Sequence, residues 1–346
     1  MKKLSFILFT ALFFHNCEKQ AFDPAGLNDG AVYPEAAWQE APFPGALGWS
    51  APKLREAKNL SLRLGSDAVF IVDRGVVVDK WGDVDKNEIV RSVRKSFLSG
   101  LYGIFVEKGI IDLQATVDSL GIDDLHGLTS VEKTATVEQL LQSRSGVYHT
   151  AAAQSDRAKS LRPERGSYSP GEFFYYNNWD FNALGTIFIQ LTGEDVFQAI
   201  AERFATPLQM QDFSAENTLY YYERDQSIHP AYHFEMSARD LARFGLLYLR
   251  NGRWNDAQII PSSWIERSFV PYSDAGPEWG YGYMWWIAKP SEFLHYEMAA
   301  ARGGSGHALY IFPEIETIIV HRAEWSKTWA EVNQIIRCIL LAKQAN

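Results

Sequence analysis

Cysteine is scarce in this chain: Cys17 and Cys338 are the only two in 346 residues. Two thiols cannot build the framework of bridges that staples a small secreted domain, and neither belongs to a Cys/His cluster with zinc spacing. Basic residues are outnumbered, 33 Lys and Arg against 42 Asp and Glu, and they form no basic run. The resulting net charge of −9 argues against a nucleic-acid partner. Beyond the N-terminus no stretch reaches eighteen consecutive apolar residues, so none reads as a membrane span. What is present is apolar mass. Hydrophobic residues make up 47% and aromatic residues 14%, enough for one large domain or two interlocked ones around an extensive core.

The N-terminus reads as a targeting segment covering residues 1–17. Lys2-Lys3 supplies a positive start, and Leu4 to Phe14 a hydrophobic stretch too short to cross a bilayer. Cys17 follows directly, so the segment resembles a bacterial lipoprotein signal, although Phe14-His15-Asn16 departs from the usual small-residue lipobox. The expectation is an exported bacterial protein, in the periplasm or anchored to the outer membrane through a lipidated Cys17. Cys338, in an apolar C-terminal helix, would then remain as an inert buried thiol. Residues 18–48 read as an extended leader with scattered Pro, Gly and Ala, and the folded domain is expected over 49–346.

Ser92-Val93-Arg94-Lys95 is the most informative stretch. Before it, Ala68–Val72 and Val76–Val78 flank Asp73-Arg74-Gly75 as a strand hairpin. After it, Phe97, Leu98, Leu101, Ile104 and Phe105 recur at helical spacing, placing Lys95 in the first turns of a buried helix. Residues i and i+3 share a helix face, so the Ser92 hydroxyl and the Lys95 amine can meet there. An amine beside a serine hydroxyl is one way of activating a weak nucleophile. The helix N-terminus adds a partial positive charge. A plain N-cap serine fits the same position. Ser50/Lys53 and Ser130/Lys133 repeat the spacing without a following apolar stripe.

Further along, the pattern from Lys95 to about Tyr272 is mainly helical. Thr136-x-x-Gln139, Ser237-x-x-Asp240 and Ser169-Pro170-Gly171-Glu172 read as helix starts. Apolar stripes mark Asn182–Leu191, Val196–Phe204 and Ala238–Leu249 as helices, and Leu54–Leu64 and about Trp329–Ala342 also read as helices. Tyr281–Ile287, Tyr310–Phe312 and Thr317–Val320 read as strands. Strands at both ends with helices between predict one sheet assembled from the two termini, from about 49–90 and 280–346, with a helical lobe inserted at about 100–275.

Two further segments carry polar chemistry. Tyr175-Tyr176-Asn177-Asn178-Trp179-Asp180 lies between helical runs, and a phenol beside a lysine can share in taking a serine proton. Ala301-Arg302-Gly303-Gly304-Ser305-Gly306-His307 precedes a strand, and its glycines permit a backbone to approach a ligand closely. Each alone also fits ordinary capping or turn structure.

Together, in this order, the three segments resemble the serine β-lactamase and penicillin-binding-protein superfamily. The similarity is greatest to its class C-like branch, which includes carboxylesterases, D-amino-acid peptidases and nylon-oligomer hydrolases. Ser92-x-x-Lys95 matches the first motif of that family. Tyr176-Asn177-Asn178, followed by Leu184-Gly185, matches the second in preference to the register beginning at Tyr175. Trp81-Gly82-Asp83, Thr136–Leu141 and Ser143-Arg144-Ser145-Gly146 also look like the branch. The resemblance implies an α/β (α+β) fold: an antiparallel sheet built from both chain ends, flanked by helices, with an inserted mainly helical lobe. It implies Ser92 as nucleophile, Lys95 and Tyr176 as alternative general bases, and Asn178 as a group that holds the lysine or the substrate. It places Gly303, Gly304 and Arg302 around the oxyanion and the substrate. The third motif departs from the family pattern, because Ala301 stands where a basic residue or histidine belongs. An ester or amide is therefore the favoured substrate, as a small-molecule or peptide acyl compound. A β-lactamase or D,D-peptidase and a catalytically silent ligand-binding protein are the alternatives. Tyr148, Trp179, Trp285 and Trp286 are candidates for an acyl pocket. His149 and His307 are secondary candidates for acid–base work. No metal or cofactor is implied.

Overall fold

The computed structural model describes residues 32–289, 296–324 and 327–343. Cys17, the rest of the targeting segment and the first part of the leader lie outside these residues. From Val32 the chain lies on the folded body. Gln39 and Ala41 exchange backbone hydrogen bonds with Val77, and the Arg243 guanidinium donates to Glu35 O at 2.8 Å.

Helix α1 (Ala51–Arg63) leads into strands β1 (Ala68–Asp73) and β2 (Val76–Gly82), the expected hairpin. A short strand, β3 (Glu88–Ile89), and a single 3₁₀ turn at Arg91–Val93 then open α2 (Arg94–Glu107). The lobe continues with α3 (Val137–Leu141), α4 (Asp156–Leu161), α5 (Asn178–Thr192) and α6 (Val196–Ile200). Strands β4 (Thr218–Tyr221) and β5 (Ala231–Met236), α7 (Ala238–Leu249), the ribbon β6 (Arg253–Trp254) and β7 (Ala257–Gln258), and α8 (Ser262–Ser268) complete it. The chain then re-enters the large sheet through β8 (Ser273–Asp274), β9 (Trp279–Tyr281), β10 (Trp286–Ala288), β11 (Ala299–Arg302), β12 (Ala308–Phe312) and β13 (Thr317–Arg322). Helix α9 (Trp329–Leu340) follows.

The large sheet is antiparallel throughout, in the order β2-β1-β13-β12-β11-β10-β9-β8. Its central seam joins the two ends of the chain, Ala68 opposite Arg322 and Asp73 opposite Thr317. Residues alternate between the faces of a strand, and both faces are covered. Phe70, Val72, Leu309, Ile311, Ile318 and Val320 face the lobe. Val69, Ile71, Tyr310, Phe312 and Ile319 face the layer of α1 and α9. On the lobe side α7 presses close. A Cβ at Gly245 would sit 2.7 Å from Leu309 and 3.1 Å from Ile318, so a glycine sets that approach.

Three expectations differ in detail. Only half of the Ser169 box forms, with Ser169 N–H donating to Glu172 Oε2 at 2.7 Å while Glu172 N–H goes to the Ser169 carbonyl, and no helix follows. Phe173–Tyr176 instead runs as irregular chain, tied to the 143–147 loop. Tyr281–Ile287 is two strands rather than one, broken by a turn in which Met284 takes φ 60°. Cys338 lies on α9 as a free, partly exposed thiol rather than a buried one.

Candidate active site

The turn carrying Ser92 is fixed from two sides. Strand β3 pairs with β5, and Val90 N–H donates to Phe234 O at 3.1 Å, which anchors the approach from the lobe. On the other side lies the end of β11. A Cβ at Gly303 would meet Val90 O at 2.8 Å, the Arg91 Cβ at 2.9 Å and Ser92 N at 3.2 Å, so only glycine permits this contact. Lys95 follows in the first turn of α2 and is 1% exposed.

Tyr176 is delivered by a clamp. The Ser143 hydroxyl donates to Tyr175 O at 2.7 Å and accepts from Asn177 N–H at 2.9 Å. Asn177 caps α5, accepting from Trp179 N–H, while its amide donates to Val147 O at 2.7 Å and Asp180 Oδ1 at 2.9 Å. Ser145 Oγ donates to the same carboxyl oxygen at 2.5 Å. The Ser143–Gly146 motif thus grips the tyrosine segment from the side.

The three side chains converge. Lys95 Nζ lies 2.7 Å from Ser92 Oγ and 3.0 Å from Tyr176 OH, so one amine bridges the hydroxyl and the phenol. The amine sits over the rings of Tyr176 and Phe181, at 4.8 and 4.6 Å. Two effects on its charge oppose each other. Ring faces favour the ammonium by about 0.5–2 kcal/mol, but removing a lone cation from water costs several kcal/mol. Burial wins. Together with the charge of Arg94, it holds the Lys95 amine well below its ordinary value. Burial raises the Tyr176 phenol, while Ser92, Arg94 and Arg302 pull it down. A neutral amine has a lone pair for the serine proton and two N–H donors for its neighbours.

Other expected residues are placed differently. The Asn178 amide donates to Ala153 O at 3.0 Å rather than to Lys95, because its place in the first turn of α5 aims it at the 150–155 loop. Gly303 N–H donates to His307 O at 2.7 Å, closing its own turn, so this amide is committed and Gly303 serves the close packing. Gly304 borders open space. Ala301 faces the lobe and Arg302 the opposite side, as strand alternation predicts. The Arg302 guanidinium lies against Trp329, Trp279 and Trp286, at 3.7, 4.4 and 5.2 Å. It stands behind the site instead of lining it.

Of the aromatic candidates only Trp286 borders the cluster, 5.3 Å from the Tyr176 ring, joined by Tyr281 at 5.9 Å. Trp285 is packed among Phe244, Tyr248 and Phe269. Trp179 is tied to Asp124, and Tyr148 packs on Tyr175. His149 is held by Glu132 at 3.3 Å, away from the cluster. His307 is buried, and desolvation pushes its imidazole down to about 2. Sequence patterns passed over Phe181, Tyr281 and Arg94, and also His233, whose imidazole burial and the charges of Arg94, Lys95 and Arg91 push down to about 3. Arg94 carried a signal: a permanent charge in the first turn of a helix whose following residues are mainly apolar.

The family model for Beta-lactamase matches residues 53–328, which is most of the chain. The chain belongs to that family. Membership supports a serine hydrolase. Protein flp of Staphylococcus aureus (strain MW2) is 26% identical over 103 residues, 27% of this chain and about a fifth (21%) of that relative's length. A Bacillus anthracis protein assigned as a 6-aminohexanoate-dimer hydrolase superposes with a TM-score of 0.65 at 23% identity, over 82% of this chain and 80% of its own. A class C β-lactamase gives 0.64 at 14% identity, over 86% of this chain and 98% of its own. At these identities the structural likeness speaks for the fold.

Proposed function

We propose that this member of the family hydrolyses an ester or amide bond through an acyl-enzyme on Ser92. The observation that carries the reading is the Lys95 amine, buried and within 3.0 Å of both the Ser92 hydroxyl and the Tyr176 phenol. Ser92 Oγ attacks the acyl carbon as its proton passes into the Lys95–Tyr176 pair. The same pair returns that proton to the departing alcohol or amine as the acyl–heteroatom bond breaks. Water then adds to the acyl-enzyme, gives up a proton to the pair and releases the acid, regenerating the serine. The backbone amide of Ser92 and that of Gly304, beside the Gly303 turn, are our candidates for the oxyanion. Ala301 on the lobe-facing side, with Arg302 turned away into its tryptophan cage, supports an ester or amide over a β-lactam, whose carboxylate would find no cation at that position.

Labelling by a fluorophosphonate probe tests the nucleophile. The native chain is expected to label and to turn over a short p-nitrophenyl ester faster than nitrocefin, and Ser92→Ala to lose both activities. Labelling that survives Ser92→Ala removes the assignment.

The N-terminal sequence supports export of this hydrolase with Cys17 as a lipid anchor. In a bacterial host the full chain should take up radiolabelled fatty acid and sediment with membranes, whereas Cys17→Ala should not. Equal behaviour of the two forms would reject the anchor.

A further inference from the structure

Arg94 is a costly residue to place directly before the reactive lysine. It is 3% exposed, and among the described residues it has no carboxylate partner. Its guanidinium lies over the Tyr232 ring at 4.8 Å and donates to Asn182 Oδ1 at 3.4 Å, while its Nε has no acceptor. Desolvating an ion without a counter-ion costs several kcal/mol. Filling space between α5 and β5 calls only for an apolar chain of similar length. A buried charge kept without a counter-ion among the described residues therefore points to a use for the charge itself.

We propose that Arg94 is a positioning residue for the Ser92–Lys95–Tyr176 cluster: its permanent charge disfavours a second cation on the neighbouring amine and favours negative charge on the phenol oxygen, leaving the pair ready to take the serine proton. This rests on Ser92 being the nucleophile. The surroundings agree. From α5, Asn182 meets the guanidinium as a neutral amide, and burial pushes the Asp180 carboxyl well above the usual carboxylate range. From β5 come the Tyr232 phenol and the His233 imidazole, from β9 Tyr281, and from the segment before α5 Tyr176 itself. Arg91 and Arg302 add further positive charge, the one acting on His233 and the other on Tyr176. No carboxylate is among the groups acting on Lys95, whose amine is lowered by burial first and by Arg94 second. Arg94 likewise counters the effect of burial on Tyr176.

The test is the pH profile of kcat/KM for p-nitrophenyl ester hydrolysis in Arg94→Met, Arg94→Gln and Arg94→Lys. A base must be unprotonated to act, so loss of the positive neighbour moves the acid limb to higher pH. The two neutral variants should be about tenfold slower at the foot of that limb and near native on its alkaline side. Arg94→Lys should keep the native profile. In a Ser92→Ala background, side-chain NMR of lysine-labelled protein should show the Lys95 amine titrating at higher pH once Arg94 is neutralised. Neutral variants that leave the limb and the titration in place overturn the proposal. So does Arg94→Lys shifting both as far as Arg94→Met, since packing would then be the cause. The NMR arm needs no turnover. A chain that hydrolyses no acyl ester would refute the proposed function while the titration still decides the role of Arg94.

Discussion

Asp180 shows how far one buried carboxyl departs from its behaviour in water. It is completely enclosed, with Oδ1 accepting from Ser145 and Asn177 and Oδ2 without a partner among the described residues. Burial raises the carboxyl well above the ordinary range, outweighing the hydrogen bonds that lower it. Between the unfolded value of about 3.9 and the raised folded value, the folded chain binds one proton more than the unfolded chain. The stability this group lends is therefore complete below about pH 4 and declines as pH rises through that window. An asparagine side chain in its place would keep the shape and the Oδ1 acceptor with no proton to lose, so Asp180→Asn should match the native chain near pH 4 and exceed it at pH 8. Urea denaturation at both values measures this, and a variant less stable at pH 8 refutes it. At this scale the sequence foretold which side chains meet: Ser92 and Lys95 through i, i+3, and Tyr176 through the turn before a helix. It did not show which asparagine does what, because two adjacent asparagines share one pattern and only the folded loop decides that Asn177 caps while Asn178 reaches Ala153 instead of Lys95. Arg94 and His233 stayed hidden because what sets them apart is burial, which no local spacing encodes.

Among elements, the clearest signals were those that local physics enforces. Thr136 and Gln139 form the reciprocal cap that their spacing predicts, with Thr136 N–H donating to Gln139 Oε1 at 2.9 Å. Ala238–Leu249 is a helix over the residues its apolar stripe marks. Its Ser237 caps as predicted, but the Asp240 carboxylate leaves the box and accepts from the backbone N–H groups of Gln211, Asp212 and Phe213. A distant loop with unpaired donors outcompeted the local partner. The Ser169 box fails for a related reason. Tyr175 and Asn177 are bonded to Ser143, and those bonds hold the chain out of helical geometry just past Glu172. Local capping is worth about 1 kcal/mol, less than several buried hydrogen bonds formed together. The same competition gives the site its tyrosine, since a helix beginning at Pro170 would carry Tyr176 away from Lys95.

At the scale of the molecule, Ser92 belongs to the lobe and the glycine turn to the sheet, so their spacing depends on how the two layers are joined. Strands at both ends of the sequence foretold the sheet, but nothing local foretold the joint. Arg322, at the end of β13 and 1% exposed, makes it. Its guanidinium donates to Met236 O at 2.6 Å and Glu88 O at 2.9 Å, and its ion-pair distance to Glu88 Oε2 is 3.3 Å. Glu88 and Met236 face each other across β3 and β5, and Glu88 lies just ahead of the Val90–Ser92 turn. Cutting this tie takes a donor from two carbonyls and leaves the Glu88 carboxylate with Lys86 alone, at 3.1 Å. Arg322→Met should therefore cost about 3 kcal/mol in urea denaturation. Misplacing a reacting group by about an ångström can slow a reaction about a hundredfold, so acylation by the fluorophosphonate should also slow at least tenfold under conditions where the variant remains folded. A variant that loses the stability yet acylates at the native rate would show that Arg322 holds the layers together without setting the position of Ser92.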